Sequence, residues 1–237
     1  MGNPVSAAVY RKSSATIQRP ASAVKGFACL TLEGRSSDEV LLWLVIEAER
    51  TLVLIRHGQT DWNVEERFQG QLDTAMNAAG RRQAAGLKDY LGGTVFDKVY
   101  SSPLCRAFET ARLIVGDSPI IPDRRLSEIH HGLWQGRTKN EIHRRWPDQW
   151  KRWQEQPHFT PRDGEPAGRV RRRVEDFLRS MQGTNILCVS HGVIIQNVLS
   201  VLLGSSYGAD VPRNGSMHIF YFRKKNVCRV RQAQVSR

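Results

Sequence analysis

The sequence predicts an α/β fold in which a mostly parallel central sheet lies between two layers of helices. Two short apolar runs, at residues 52–55 and 186–189, have the length and composition of buried strands. Segments with apolar residues at helical spacing follow them along the chain. Strands that alternate with helices are typical of a parallel sheet covered on both faces, so the expected architecture is a three-layer sandwich.

The individual elements follow from local signals along the chain. Asn77 is predicted to cap a helix that runs to about Leu91. Ser102 and Pro103 are predicted as the N-cap and the first residue of another helix, which runs to about Val115. The other predicted elements are strands at 96–100, 217–222 and 227–230, helices at 169–182 and 193–203 with Gly204 as the terminating residue, and a short helix or strand at 39–49.

The chain carries a strong positive charge. Its 237 residues have a formal net charge of +12, of which residues 1–50 contribute only +1. A basic protein favours anionic partners, such as nucleic acid or phosphorylated small molecules. No basic run alternates with aromatic residues as on a single-strand binding surface, so nucleic acid is not expected. The longest apolar run, residues 40–46, is shorter than the ~18–20 residues of a membrane span, so no membrane partner is expected.

Residues 1–49 are predicted to be an N-terminal extension, and residues 50–237 to form the folded domain. Residues 1–32 contain no Asp or Glu, which is typical of a transit segment, although a disordered tail or a misassigned start fits equally well. The four cysteines form no CxxC pair and no zinc-binding spacing, which favours a reducing compartment. Cys105 and Cys188 are predicted as buried thiols. A cytoplasmic location is therefore expected, with an organelle as the alternative.

Two histidines follow predicted strands, and each is followed by glycine. Arg56 and His57 leave the first strand, and His191 leaves a later one. Ligands of parallel sheets bind beyond the carboxyl ends of the strands, so these side chains are expected to meet at one edge. Gly58 and Gly192 are expected to let the backbone approach a ligand closely.

Arg106 adds a third element to this constellation. It lies in the first turn of its predicted helix, where unpaired N–H groups and the helix dipole favour an anion. Arg56 and Arg106 can each bind phosphate oxygens through a forked guanidinium. Two arginines, two imidazoles and a helix start suit a doubly charged anion, and neither a divalent metal nor another cofactor is then needed to neutralise it.

Five short segments occur in a fixed order between about residue 51 and the end of the chain. They are RHGQTDWN (56–63), RFQG (67–70), SSPLCRAFETA (101–111), LSEIHHGLWQG (126–136) and SHG (190–192). Together they resemble the histidine phosphatase superfamily, the phosphoglycerate-mutase-like clan, and in particular its broad phosphatase branch. The resemblance implies the phosphoglycerate-mutase-like version of the three-layer fold.

The resemblance also implies a role for each matching residue. His57 would be the nucleophile that forms a phosphohistidine, while Arg56, Arg106 and His191 would hold the transferring phosphoryl group. Glu128 would be the general acid that protonates the leaving oxygen. The remaining positions expected at the phosphate pocket are Asn63, Gln69, Gly70 and Gly192.

Elementary chemistry agrees with these implied roles. Neighbouring arginines disfavour a protonated His57, and a hydrogen bond from Nδ1–H to a carbonyl would leave Nε2 free to attack. A carboxyl that faces a phosphate dianion should have a raised pKa, which suits a general acid. Glu128 could then activate the water that cleaves the phosphohistidine.

Each residue also has a plainer interpretation. The two arginines could pair with carboxylates such as Asp61 or Glu109. His191 could be a satisfied core histidine, and Glu128 an ordinary surface acid. Residues 171–173, all arginine, are expected on a solvated face. Neither a substrate contact nor a metal site is predicted for Trp62, His130, His131, His143, His158 or His218.

The favoured function is a metal-independent phosphomonoesterase that acts on a small phosphorylated metabolite. A cofactor-dependent phosphoglycerate mutase is the alternative, and a non-catalytic module that binds a phospho-ligand or nucleic acid is a weaker one. Residues 29–35 match the Cys-x5-Arg spacing of thiol-based phosphatases, but they hold one glycine and lack a clear strand–loop–helix context.

Specificity is expected to lie in residues 134–166, within the lid and entrance that follow Glu128. No role is carried over to Glu165, because Pro166 departs from the usual pattern of the branch. The segment suggests a second anionic or sugar-like group on the substrate through Arg144, Arg145, Arg152, Trp146, Trp150 and Trp153.

Overall fold

The computed structural model describes residues 49–156, 159–204, 211–223 and 226–234. Residues 1–48 lie outside these ranges. They include nearly all of the predicted extension, the possible element at 39–49 and the Cys29-to-Arg35 pattern. His158 also lies outside them.

The described strands form one six-stranded sheet in the order β3-β2-β4-β1-β5-β6. The first four of these pair in parallel, and β5 and β6 add two antiparallel strands beside β1. The predicted mostly parallel sheet is therefore confirmed. The strands are β1 (Arg50–Arg56), β2 (Lys98–Ser101), β3 (Ile121–Pro122), β4 (Asn185–Ser190), β5 (Ser216–Arg223) and β6 (Asn226–Gln234).

Helices cover both faces of the sheet, as predicted. The described α-helices are α1 (Asp61–Val64), α2 (Ala78–Leu91), α3 (Cys105–Val115), α4 (Lys139–Arg145), α5 (Pro147–Glu155), α6 (Ala167–Ser180) and α7 (Gly192–Leu203). Alternate residues of β1 point to opposite faces. Leu52 and Leu54 join a core with α6 and α7, and Val53 and Ile55 join a second core with α2 and α3. Burial on both faces explains why β1 is apolar throughout its centre.

The predicted helix ends are largely confirmed. The Asn77 side chain accepts the N–H of Gly80 at 2.9 Å and so caps α2, which ends at Gly92 in the left-handed region (φ 54°). Gly204 ends α7 at a positive φ of 99°. Each glycine adopts a conformation that a side chain would oppose.

The predicted start of α3 is wrong by two residues. The helix begins at Cys105 with Leu104 as its N-cap, and no side chain caps it. The Ser102 hydroxyl instead accepts the Leu104 N–H at 3.3 Å and contacts a ring nitrogen of His191 at 2.8 Å. A tertiary contact thus competes for the group that local reasoning assigned to the helix. Cys105 is half-buried rather than buried, whereas Cys188 is buried as predicted.

The segment after Glu128 contains more regular structure than its sequence predicts. It begins with a 3-10 turn (Gly132–Trp134) and continues with α4 and α5. Thr138 and Glu141 form a capping box at the start of α4. Among the helices in the described part of the chain, none combines the length and the apolar composition that a membrane crossing requires.

Candidate active site

The two histidines meet at the carboxyl edge of the sheet, as predicted. Arg56 ends β1 and lies opposite Ser190, the last residue of the parallel strand β4. The next residue on each strand is therefore a histidine, and the ring centroids of His57 and His191 are 5.0 Å apart. Parallel pairing between neighbouring strands is what brings together two residues so distant in sequence.

His57 has the tautomer that leaves its outer nitrogen free. Its Nδ1 lies 2.7 Å from the Gly58 carbonyl oxygen, which can only accept, so Nδ1 carries the hydrogen and Nε2 the lone pair. Burial, followed by the charges of Arg56 and Arg106, holds the pKa of His57 well below its ordinary value. The ring is therefore neutral and nucleophilic at neutral pH.

Both arginines are held by backbone carbonyls rather than by carboxylates. Arg56 donates from Nη1 to the Pro212 carbonyl. Arg106, which is 1% exposed, donates to the carbonyls of Leu72 (2.9 Å) and Gly70 (2.7 Å). Carbonyl partners fix each guanidinium without cancelling its charge, so both remain available to an anion.

His191 is fully buried, and only one of its ring nitrogens has a partner in the described part of the chain. Nε2 lies 2.8 Å from the Ser102 hydroxyl, whose oxygen already accepts the Leu104 N–H. The hydroxyl proton is then available to Nε2, and in that arrangement Nδ1–H is a donor. Burial, then the charge of Arg106, lowers the pKa of His191 well below its ordinary value.

Three buried nitrogen atoms around His57 have no protein partner among the described residues. They are Nε of Arg56, Nε of Arg106 and Nδ1 of His191. A buried polar group without a hydrogen bond is costly, and native proteins rarely leave several together. A bound anion with several oxygen atoms can accept hydrogen bonds from donors of this kind, and phosphate has that chemistry.

Glu128 brings a carboxyl group to the same site. One oxygen accepts the Ile129 N–H at 2.9 Å, and the other accepts the N–H of Val193, in the first turn of α7, at 3.4 Å. Burial raises the pKa of Glu128, although those N–H groups and the charges of Arg56 and Arg106 oppose the shift. The carboxyl can therefore hold a proton above its ordinary pKa.

Asn63 and Gln69 line the cleft with oriented amide groups. Asn63 Oδ1 accepts from the N–H of Thr60 (3.0 Å) and from the Asn214 amide (3.2 Å), so its NH₂ group is free to donate. Gln69 Oε1 accepts from the Thr74 hydroxyl at 2.5 Å, which fixes its amide in the same way. Both side chains can thus offer N–H donors to an anion.

Gly70 supports the site indirectly, through the carbonyl that binds Arg106. Its φ of 54° lies in the left-handed region, and an added Cβ would lie 2.1 Å from the Gln135 side chain. The loop therefore requires glycine for its conformation and for space.

The glycines after the two histidines allow close packing within the protein. A Cβ at Gly58 would lie 2.5 Å from the Gly80 carbonyl and 2.6 Å from the Met76 sulfur. A Cβ at Gly192 would lie 2.6 Å from Val211. Each glycine lets a neighbouring segment pack close to a catalytic candidate.

The structure contradicts the plainer interpretations of the arginines and of Glu128. Glu109 pairs with Arg81 at 2.7 Å, and Asp61 accepts from Asn77 at 3.1 Å, so neither carboxylate is the partner of a site arginine. Glu128 is not an ordinary surface acid, because it lines the cleft and two backbone N–H groups hold its carboxyl there.

One arginine of the predicted solvated run is mostly buried. Arg173 pairs with Glu165 at 2.8 Å, and its side chain is 15% exposed. It also donates to the carbonyls of Arg125 (2.6 Å) and Glu128 (3.3 Å), and Glu165 accepts the His130 N–H at 3.4 Å. The prediction therefore fails for Arg173, while the other two arginines of the run are exposed.

Two supporting residues were not among the predicted site positions, although Thr110 lies within the segment at 101–111 that carries the family resemblance. Asn214 donates to the His57 carbonyl at 3.1 Å as well as to Asn63, and Thr110 accepts the Gly58 N–H at 3.0 Å. Both lie far from His57 along the chain. Only the tertiary fold places them beside it.

The site opens into a cleft of about 1350 Å³. His57, Arg56, Arg106 and Glu128 line its base, and residues from α1, α5, α6 and α7 form its walls. Trp62, expected only in packing, lies in a wall of this cleft with Arg67 over its ring. The described residues contain no group of three or more metal-ligating side chains.

Known proteins share both the sequence pattern and the fold. The profile described as the histidine phosphatase superfamily (branch 1) matches residues 52–231. Phosphoserine phosphatase 1 of Hydrogenobacter thermophilus is 32% identical over 187 residues, which cover 73% of this chain and 87% of that protein. Glucosyl-3-phosphoglycerate phosphatase of Mycobacterium tuberculosis is 36% identical over 168 residues, covering 65% and 75%. The solved alpha-ribazole phosphatase from Shigella flexneri has a TM-score of 0.70 at 30% identity, covering 76% and 95%.

The fold and the site define an α/β protein with a cluster of arginine and histidine donors beside a neutral imidazole. The chain belongs to the histidine phosphatase superfamily. The family and the fold predicted from the sequence are both confirmed.

Proposed function

We propose that the protein is a phosphoric monoester hydrolase that acts through a phosphohistidine at His57, and that residues 50–237 form its catalytic unit. Its relatives named above are phosphatases of phosphoserine, glucosyl-3-phosphoglycerate and alpha-ribazole phosphate. The substrate class that they share is a small phosphorylated metabolite.

The first half-reaction transfers the phosphoryl group to the protein. His57 Nε2 attacks phosphorus, the bond from phosphorus to the leaving oxygen breaks, and the carboxyl proton of Glu128 passes to that oxygen. The substrate leaves as an alcohol. Arg56, Arg106 and His191 donate to the non-bridging oxygens, whose charge they stabilise in the transition state.

The second half-reaction returns His57 to its free state. Water attacks phosphorus, the Glu128 carboxylate accepts a proton from that water, and the N–P bond breaks to release inorganic phosphate. The residues present supply the nucleophile, the acid–base group and the counter-charges, so no step calls for a metal ion.

One observation carries this proposal. Three unpartnered buried N–H donors surround a neutral His57 whose Nε2 is free, and the raised pKa of Glu128 keeps an acid in the same basin. A satisfied structural cluster would have protein partners for these donors. A phosphate monoester supplies them.

Trapping of the intermediate tests the proposal. The protein is mixed rapidly with a ³²P-labelled phosphomonoester and denatured in alkali, and the labelled residue is located by peptide mapping. Label at His57 with release of inorganic phosphate is expected, and His57→Ala should lose both. Label elsewhere, or full turnover in His57→Ala, would contradict the mechanism.

The same assay tests the mutase and binding alternatives. With 3-phosphoglycerate as substrate, phosphate release and exchange between phosphoglycerate isomers are followed together. Exchange that outpaces release would identify a mutase. Binding of phosphomonoesters without either reaction would identify a non-catalytic module.

A further inference from the structure

The cleft is much larger than a phosphate group needs. Its volume of about 1350 Å³ exceeds the roughly 300–1,000 Å³ of pockets that hold drug-sized ligands. The phosphoryl site occupies only its base, so the walls face the leaving group of the substrate. The charge and shape of the walls therefore indicate the chemical class of the leaving group.

Each cation in the walls, outside the phosphoryl site, pairs with a carboxylate of the protein. Among the described lining residues these cations are Arg67, Lys139 and Arg171. Their pairing distances are 2.9 Å to Glu65 and 3.4 Å to Glu141 for Arg67, 2.5 Å to Glu66 for Lys139, and 2.9 Å to Glu175 for Arg171.

Each of these three lining cations is thus already paired with a carboxylate of the protein, and one of those carboxylates, Glu66, itself lines the cleft. Exposed ion pairs stabilise a fold little, but they neutralise the field that a ligand meets. Among the described lining residues, a carboxylate on the substrate would find each wall cation already paired. Beside Glu66 it would also meet a like charge, which is unfavourable in recognition.

The arginines expected to hold a second anionic group do not line the cleft. Arg145 lies over the Trp146 ring and Arg152 over the Phe159 ring. Of the six residues predicted for that role, Trp153 is the one that lines the cleft. Of the predicted aromatic residues, one therefore lines the cleft, and none of the three predicted arginines does.

One wall is aromatic. Trp153, Phe68 and Phe159 line it, and the exposed fraction of Trp153 is 37%, large for a tryptophan. Its ring stacks on Trp150 at 5.0 Å and meets Phe68 edge-on at 5.7 Å, so its orientation is fixed from behind. A rigid aromatic face of this kind suits the apolar face of a sugar or another ring.

Another part of the lining carries neutral hydrogen-bonding groups. Gln196, Asn197 and Ser200 lie on one side of α7 and line the cleft. Asn197 donates from Nδ2 to the Val193 carbonyl at 2.8 Å, which leaves Oδ1 directed as an acceptor. Amides and a hydroxyl bind hydroxyl groups without requiring charge.

We infer that the natural substrate carries an uncharged, hydroxyl-bearing leaving group that is larger than a three-carbon acid, such as a sugar or polyol with an apolar face. This inference rests on the proposed hydrolysis at His57 and adds the substrate class. The aromatic residues and the polar side of α7 are the parts of the lining that would contact this leaving group.

A matched pair of substrates tests the charge requirement. Glycerol 3-phosphate and 3-phosphoglycerate differ only in a hydroxymethyl group in place of a carboxylate, and both release a primary alcohol oxygen. The kcat/KM for glycerol 3-phosphate should exceed that for 3-phosphoglycerate by about tenfold or more. Glucose 6-phosphate should be better still, and Trp153→Ala should remove that additional preference.

Release of one wall cation provides the second test. Glu66→Gln frees Lys139, so the ratio of the two kcat/KM values should shift severalfold towards 3-phosphoglycerate. Asp176→Asn is the matched control, because it removes an equal charge from a pair with Arg179 outside the cleft. It should leave the ratio unchanged.

The outcomes separate the two proposals. Hydrolysis of 3-phosphoglycerate as fast as glycerol 3-phosphate, with His57 labelling intact, would overturn the neutral-leaving-group inference alone. An equal shift in Glu66→Gln and Asp176→Asn would overturn it as well, because the effect would then be general. No hydrolysis of p-nitrophenyl phosphate, which needs no specific leaving-group contact, would overturn the proposed function itself.

Discussion

Burial acts in opposite directions on the two titratable groups of the proposed reaction. It lowers the pKa of His57, since the charged imidazolium is disfavoured, and it raises the pKa of Glu128, since the carboxylate is disfavoured. The adjacent guanidinium groups strengthen the first shift and oppose the second. A neutral nucleophile and a protonated acid can therefore coexist in one basin, as the first half-reaction requires.

The pH dependence of kcat/KM should reflect both shifts. His57 stays neutral well below its ordinary pKa, so acidification should reduce activity only at strongly acidic pH. Glu128 loses its proton as pH rises through its raised pKa, so activity should fall on the alkaline side. Glu128→Gln cannot titrate and should lose the alkaline fall, while kcat/KM for an alkyl phosphate drops about 10²–10⁴-fold. Steady-state rates across a pH series measure all of these changes.

The leaving group provides the control for this assignment. p-Nitrophenolate departs without a proton, and kcat/KM reports only steps up to the first phosphoryl transfer. Glu128→Gln should therefore lose far less kcat/KM on p-nitrophenyl phosphate than on an alkyl phosphate. An equal loss on both substrates would show that Glu128 shapes the pocket and is not the acid.

At the scale of elements, the sequence predicted which residues lie at the ends of the strands. It did not predict the contacts that residues near the helices make with them. The apolar runs of β1 and β4 mark buried strands, and parallel pairing then brings His57 and His191 to one edge. Ser102 illustrates the limit, because its hydroxyl contacts His191 as well as the Leu104 N–H, and His191 is distant in sequence. Local sequence rules identify Ser102 as a possible helix cap, but they cannot identify His191 as its tertiary partner.

The lid shows the same limit on a larger scale. Residues 139–155 form α4 and α5, although no helix or strand was predicted there. Their aromatic residues cluster around Trp134, which is fully buried. Tertiary packing of this kind fixes short helices that have little stability alone.

The contacts of Arg173 on α6 with the segment that carries Glu128 give a prediction at this scale. Arg173 joins Glu165 to the carbonyls of Arg125 and Glu128, so a single fork holds three groups. A lysine ammonium group is a compact charge without the planar fork of arginine, so it cannot bind the Glu165 carboxylate and both carbonyls at once. Arg173→Lys should lower kcat on an alkyl phosphate about ten- to a hundredfold with little change in KM, because the acid is misplaced.

Arg172→Lys is the matched control, since its side chain is exposed one residue away on the same helix. It should leave kcat and KM near those of the unaltered protein. The loss in Arg173→Lys should also be smaller on p-nitrophenyl phosphate. Equal losses on both substrates, or a loss in the control as well, would contradict a positioning role.

At the scale of the whole molecule, β1 is the element on which the domain depends. It pairs with β4 on one side and β5 on the other, and its side chains enter both cores. It also ends at Arg56, and His57 follows directly at the candidate site. The family match begins at residue 52, within this strand, so we expect the proposed catalytic unit to include β1.

Truncation on either side of this strand tests the proposed boundary. Deletion of residues 1–45 spares β1, so kcat/KM should stay within about twofold and the urea midpoint of unfolding should stay the same. Deletion of residues 1–53 is the contrasting variant, because it removes Leu52 and Val53 from the two cores. The loss of two central core side chains and half a strand should prevent folding, since each buried side chain contributes about 1.5–3 kcal/mol against a total stability of about 5–15 kcal/mol. An inactive or insoluble protein after the shorter deletion would place the boundary of the catalytic unit before residue 46, and would make residues 1–45 part of it.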